Sequence, residues 1–133
     1  MTISITLIYA AIIAVLMAVL STMAAMKRGA TGIALGDGGN PSLALSLRRF
    51  GNLSEYAAMA IVMLLLMELA GVPAFWLHVY GIALVAVRLL HPFILFDTMD
   101  ASTAMKFGRF VAGAGTAALL LASAITLIAI GLG

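Results

Sequence analysis

From Ile3 to Met26 the chain runs for 24 residues without a charged side chain. A hydrocarbon core of roughly 30 Å takes about 20 helical residues to cross, so this run alone is long enough to span a bilayer. Three more long apolar runs follow: Leu53 to Gly71 with Pro73 just beyond, Ala74 to Phe96, and Phe110 to Leu132. Barrel strands are excluded, because they need only about 10 residues and alternate apolar with polar positions. Composition agrees, with 65% of the residues apolar and 9% charged, where a soluble domain holds roughly half and a quarter. A water-soluble chain of this length has too much surface for its volume to hide so many apolar side chains. The reading is an all-α integral membrane protein, a four-transmembrane-helix bundle that forms one domain over residues 1–133.

Several function classes drop out at once. The chain has no cysteine, so disulfides, thiolate metal sites and cysteine nucleophiles are excluded. A net charge of +2 is too small to suggest nucleic-acid binding. Met1 and Thr2 supply no positive n-region, and the first apolar run is longer than the roughly 7–15 residues of a leader. A retained first span is therefore expected.

The basic residues are one-sided. Lys27, Arg28, Arg48 and Arg49 lie between spans one and two, or at the start of span two, and Lys106 and Arg109 lie between spans three and four. Only Arg88, inside span three, breaks the pattern. The positive-inside rule makes that side cytoplasmic, with the connections around Asp37 and Asp97 inside the cell and both termini outside. Gly36-Asp37-Gly38-Gly39-Asn40-Pro41 is a cluster of turn formers in the first connection. Small residues recur every four positions at Ala10, Ala14, Ala18 and Thr22, at Gly113 and Ala117, and at Ala118 and Ala122. Such stripes are expected to let helices approach closely.

Ionisable residues inside a membrane are costly, and each is a functional candidate with a partner. The richest stretch is Arg48-Arg49-Phe50-Gly51-Asn52-Leu53-Ser54-Glu55-Tyr56. On a helix Arg48, Asn52 and Glu55 share an arc of about 60°. A cation, an amide and a carboxylate thus meet at the cytoplasmic entry of span two, either as a self-neutralising pair inside the bundle or as a binding site. Arg88 and His91 share a face of span three at i and i+3, just before Pro92. Arg88 can either face the bundle or snorkel to the interface. His78 and His91 are 13 residues apart on that helix and point to different sides, so no metal site is expected. Glu68 reads as an interfacial residue at the outer end of span two.

Arg48-x-x-x-Asn52-x-x-Glu55-Tyr56 at the start of a second membrane helix resembles the signature of the MAPEG family, the membrane-associated proteins of eicosanoid and glutathione metabolism. Gly36-Asp37-Gly38-Gly39, Phe50-Gly51-Asn52 and Arg88-Leu89-Leu90-His91 look like its small bacterial members. Arg109, followed seven residues later by Thr116, resembles the family's start of helix four. The resemblance implies a homotrimer in a bacterial inner membrane, with glutathione between neighbouring subunits near the cytoplasmic face. It also implies transferase or isomerase chemistry, sometimes with peroxidase activity, on lipophilic substrates. By position, Arg28, Arg48, Asn52, Glu55, Tyr56, Arg88 and His91 would bind glutathione, and Arg109 would activate the thiol, with Lys106 the alternative for that role. Leu95 stands where well-studied animal members carry a tyrosine.

The chemistry suits such a ligand, which offers two carboxylates, one ammonium, two peptide units and a thiol. A guanidinium matches a carboxylate in bidentate geometry, Glu55 suits the ammonium, and Asn52 can donate to and accept from a peptide. A nearby cation such as Arg109 lowers a thiol pKa from about 8.5 by roughly 1–3 units. The leading function is a glutathione-dependent membrane enzyme for small lipophilic electrophiles. The alternatives are a glutathione- or lipid-binding membrane protein without turnover and a small multidrug transporter. A proton-coupled carrier needs a carboxylate in its first helix, and Ile3 to Met26 has none.

Overall fold

The computed structural model describes residues 3–95 and 102–133. Asp97 and Asp100 of the third connection lie outside the described residues, as do Phe96, Met1 and Thr2. Four helices make up the chain: α1 (Ile5–Thr31), α2 (Pro41–Leu69), α3 (Ala74–Ile94) and α4 (Thr103–Leu132). All four are long and apolar enough to cross a membrane, and the described residues hold no strand. The fold is the expected four-helix membrane bundle.

α1, α2 and α4 each extend past their apolar runs at one end, where polar groups beyond the runs help to cap or brace them. α1 carries Lys27 and Arg28 in its last turns and stops at Gly32, which takes φ 67°, a conformation glycine reaches without a Cβ clash. The segment after the helix is gathered by Arg28, whose Nη1 donates to the carbonyls of Ile33, Ala34 and Gly36 at 3.0, 2.9 and 3.1 Å. α2 starts twelve residues before Leu53 because Asn40 and Pro41 make a strong start signal. The Asn40 side chain accepts from the Ser42 and Leu43 amides, both at 3.1 Å, and proline at the first helical position has no amide left to satisfy. The link from α2 to α3 is tight, turning at Gly71 with φ 80°. Pro92 falls near the end of α3, where it interrupts little of the helical hydrogen bonding.

The first turn of α1 is capped from a distance. Ser4 has no side-chain cap bond. Instead the Ser4 and Ile5 amides donate to Oε1 of Glu68, each at 2.9 Å, and the Thr6 amide donates to Oε2 at 2.7 Å. Glu68, near the end of α2, therefore ties that end of α2 to the start of α1.

α2 and α3 form the middle of the bundle. α1 packs on both from one side and α4 on both from the other, and α1 and α4 do not meet among the described residues. The α2 seam is Leu53, Ala57, Ala60, Leu64 and Met67, alternating four- and three-residue steps as closely packed helices require. Ala57 and Ala60 are fully buried, and the Tyr80 hydroxyl donates to the Ala60 carbonyl at 3.2 Å. Gly81 is the closest approach of α3 to α1, since a Cβ there would fall on the Tyr9 ring. Above that contact the Tyr9 hydroxyl meets His78 Nδ1 at 2.9 Å. The small-residue stripes foreseen in α1 and α4 lie elsewhere: Ala14, Ala18, Thr22, Gly113, Ala117, Ala118 and Ala122 are all exposed. Periodicity found a small-residue face but could not say that, within one chain, this face looks outward.

Candidate functional site

At the end of the bundle that holds Arg48 and Arg109, α2, α3 and α4 bring five of the expected residues around one buried cation. Arg88 is 2% exposed and points into the protein, so it does not snorkel. Its Nη1 donates to the Asn52 side-chain oxygen at 2.9 Å and to the Asn52 carbonyl at 3.4 Å. Its Nη2 donates to the Ala112 carbonyl at 3.2 Å and to the Thr116 hydroxyl. The Tyr56 ring lies over it, with its centroid 5.9 Å from the guanidinium carbon. Each contact has a local origin in helical spacing. Asn52 and Tyr56 are one turn apart on α2, and Ala112 and Thr116 are one turn apart on α4, so each pair faces inward together.

Among the described residues no carboxylate pairs with Arg88, and its Nε is buried without a hydrogen-bond partner. Its charge is balanced by oxygen dipoles and a π-face alone. One turn further along α3, the buried His91 lies within electrostatic reach of Arg88, Arg109 and Arg48. Arg109 precedes Ala112 by three residues and Thr116 by seven, so it continues the α4 stripe that grips Arg88. Three guanidinium groups from three helices thus lie within electrostatic reach of His91.

The acid of the motif lies outside this region. Arg48 and Glu55 face each other at 4.0 Å with side chains 64% and 56% exposed. They are not a pair neutralised inside the bundle of one chain. An exposed pair at that separation gains little from its own attraction, so both groups remain available to a ligand. Tyr56 is 41% exposed and links the two halves, with one side toward Arg88 and the other toward solvent or lipid. Arg28 is set apart from the cluster. Its bonds to the three carbonyls of the first connection make it a brace for that segment.

The sequence missed two partners. Thr116 and the Ala112 carbonyl are acceptors for Arg88, and the only signal for them was the spacing Arg109, Ala112, Thr116 on one helical face. Arg49 was unassigned. It donates through Nη2 to the Leu95 carbonyl at 3.1 Å and holds the end of α3 against α2.

Over residues 6–129 the chain matches the model of the MAPEG family. The chain belongs to the MAPEG family. The matched stretch takes in the α2 motif of this MAPEG protein and nearly all of its four helices. Inner membrane protein YecN of Escherichia coli strain K12 is 44% identical to it over 59 residues, 44% of this chain and 45% of that protein. The YecN protein of Escherichia coli O6:H1 strain CFT073 matches to the same extent. The matched stretch spans less than half the length of these curated relatives. No solved structure matches the chain.

Proposed function

We propose that this MAPEG protein is a glutathione-dependent transferase or isomerase of the inner membrane, a homotrimer that acts on small lipophilic electrophiles. The observation that carries the reading is the separation of charge at one end of the bundle. A carboxylate and a guanidinium stand exposed at Glu55 and Arg48, beside a region that Arg48, Arg88 and Arg109 reach from three helices. A ligand with an ammonium, two carboxylates and an ionisable thiol complements that order of charges. An anion alone would leave Glu55 unmatched.

In this reading Arg48 grips a carboxylate and Glu55 takes the ammonium. Tyr56 supplies a hydroxyl and an apolar ring at the mouth. Arg88 is a positioning residue, because its hydrogen bonds fix Asn52 and the start of α4 and leave only Nε toward a ligand. With its oxygen committed to Arg88, the Asn52 amide keeps its N–H donors for a peptide carbonyl. Arg109 stabilises negative charge on sulfur, with Lys106 one turn further out as the alternative. Glutathione supplies the nucleophilic thiol, so the absence of cysteine from the chain is no obstacle. The YecN name places those relatives in an inner membrane, and the one-sided basic residues support an orientation with both termini of this chain outside the cytoplasm.

The test is glutathione binding in detergent by calorimetry, with conjugation to a generic aryl halide followed by absorbance. Saturable binding together with conjugation supports the proposal. Binding without conjugation replaces it with a non-catalytic binding protein, and no binding overturns it.

A further inference from the structure

The basic motifs come as neighbours, Lys27-Arg28 and Arg48-Arg49, and consecutive residues on a helix point about 100° apart. Arg28 and Arg48 are accounted for above. Lys27 and Arg49 turn to a different side and line a second cleft, of about 510 Å³, between the last turns of α1 and the first turns of α2. Met23, Met26 and Lys27 form one stripe of α1, and Ser42, Ser46 and Arg49 form the facing stripe of α2. The hydroxyls of Ser42 and Ser46 give their protons to the Asn40 side chain and the Ser42 carbonyl. The donors left to a ligand are therefore the Lys27 ammonium and the Arg49 guanidinium. One edge of that guanidinium is held by the Leu95 carbonyl, and its Nε is buried without a hydrogen-bond partner among the described residues. Among the described residues no acidic side chain lines the cleft.

The two ends of the cleft differ in character. Lys27 is the first charge after the apolar run of α1, so the cations lie where that helix leaves the hydrocarbon. Met26, the residue before Lys27, and Met23, one turn deeper, are 71% and 50% exposed. A cationic notch continuous with an apolar strip fits a ligand that is anionic at one end and hydrocarbon at the other. A free anion would use only the notch. Basic pockets between membrane helices on the cytoplasmic side are suited to such headgroups.

We propose that the α1–α2 cleft binds an anionic phospholipid of the cytoplasmic leaflet. Its headgroup phosphate sits between Lys27 and Arg49, and an acyl chain lies along Met23 and Met26. The site is independent of the glutathione reading, because neither cation belongs to that cluster.

Native mass spectrometry of the intact protein, titrated with phosphatidylglycerol or phosphatidylcholine, tests it. Two cations near the interface contribute about 1 kcal/mol each, which corresponds to a preference of roughly thirty-fold for phosphatidylglycerol. Lys27→Gln and Arg49→Gln should each cut that preference to a few-fold, and Lys27→Arg should keep it. Lys106→Gln, which removes the same charge from the same membrane side outside the cleft, should also keep it. If Arg49→Gln does not fold for want of its bond to Leu95, Lys27→Gln carries the test, since the Lys27 ammonium makes no interhelical hydrogen bond among the described residues. Equal affinity for the two lipids overturns the proposal. So does an equal loss in Lys106→Gln, which would mark a general surface effect. Thermal stabilisation of the lipid-free protein by inorganic phosphate as strong as that by phosphatidylglycerol would assign the notch to a soluble anion and overturn the lipid reading.

Discussion

Removing the Glu68 carboxylate should weaken the whole bundle from the end that holds the start of α1. The amides of Ser4, Ile5 and Thr6 belong to the first turn of α1, where no preceding turn supplies carbonyls, and all three donate to Glu68 at 2.7–2.9 Å. Losing an N-cap acceptor costs about 0.5–2 kcal/mol. A carboxylate at a helix N-terminus adds about 0.3–1 kcal/mol through the helix dipole, and up to about 2 where it is partly buried. Glu68 combines the two effects and joins two helices, so Glu68→Ala should cost about 2–4 kcal/mol. For a chain of this length each kcal/mol moves Tm by roughly 3–5 °C, giving a fall of roughly 6–20 °C in detergent, read by circular dichroism. Glu68→Gln keeps a neutral oxygen and should lose about half as much. Ser4→Ala should be silent, because the Ser4 hydroxyl makes no cap bond. Hydrogen exchange should speed up at residues 4–6 in Glu68→Ala before it does so elsewhere. A melt within about 2 °C of the parent, or equal losses in the Ala and Gln variants, would refute the capping argument.

Thr116→Val should cost about 1–3 kcal/mol by leaving a buried donor of Arg88 short of an acceptor; an unchanged thermal midpoint would remove Thr116 from that network. Gly81→Ala should cost about 1–3 kcal/mol by overpacking against Tyr9, and adding Tyr9→Leu should recover part of it, as measured by a double-mutant cycle. Arg109→Leu should leave glutathione bound while raising the pH at which thiolate absorbance appears, and Arg48→Leu should weaken binding by about 1.5–3 kcal/mol; a shifted thiolate titration in Lys106→Leu with none in Arg109→Leu would move the role to Lys106. Reporter fusions at Gly133 should be active only outside the cytoplasm, and activity confined to the cytoplasm would reverse the assigned orientation.

Architecture was legible because length and hydropathy decide it. The motif residues of α2 were legible because a period of 3.6 puts Arg48, Asn52 and Glu55 on one face. What stayed hidden was nonlocal. Near the C-terminus of α2, Glu68 opposes the dipole of its own helix, so a local rule reads it as a surface accident. Its partner is the start of α1, more than 60 residues away. Arg88 shows the same limit in reverse. Its membrane position marked it as a residue with a partner, but Asn52, Ala112 and Thr116 carry no charge to announce themselves. Charge pattern could not separate Arg48 from Arg49 either, although a turn of about 100° between neighbours sends one toward Glu55 and the other toward α1.

The two ends of the bundle are fastened by the same device with opposite sign. At the end that holds the start of α1, an acid on α2 satisfies the amides of α1. At the other end a cation on α3 satisfies oxygens of α2 and α4. Apolar packing in lipid has no hydrophobic effect between helices to drive it, and α4 contributes only Ala112, Thr116 and Ser123 to the buried set. The Arg88 bonds to Ala112 and Thr116 therefore add directional contacts to the packing of α4, where Leu119, Leu120 and Leu127 are only partly buried against the core. Arg109 lies on the same stripe, one turn away. The position of the residue assigned to the thiol is in this way set by Arg88. Thr116→Val should accordingly lower turnover by more than its effect on glutathione affinity, because a displaced Arg109 loses an interaction made chiefly in the activated state. Parallel measurement of kcat and of the glutathione KM checks this, and a change confined to KM would show that Arg88 serves binding alone.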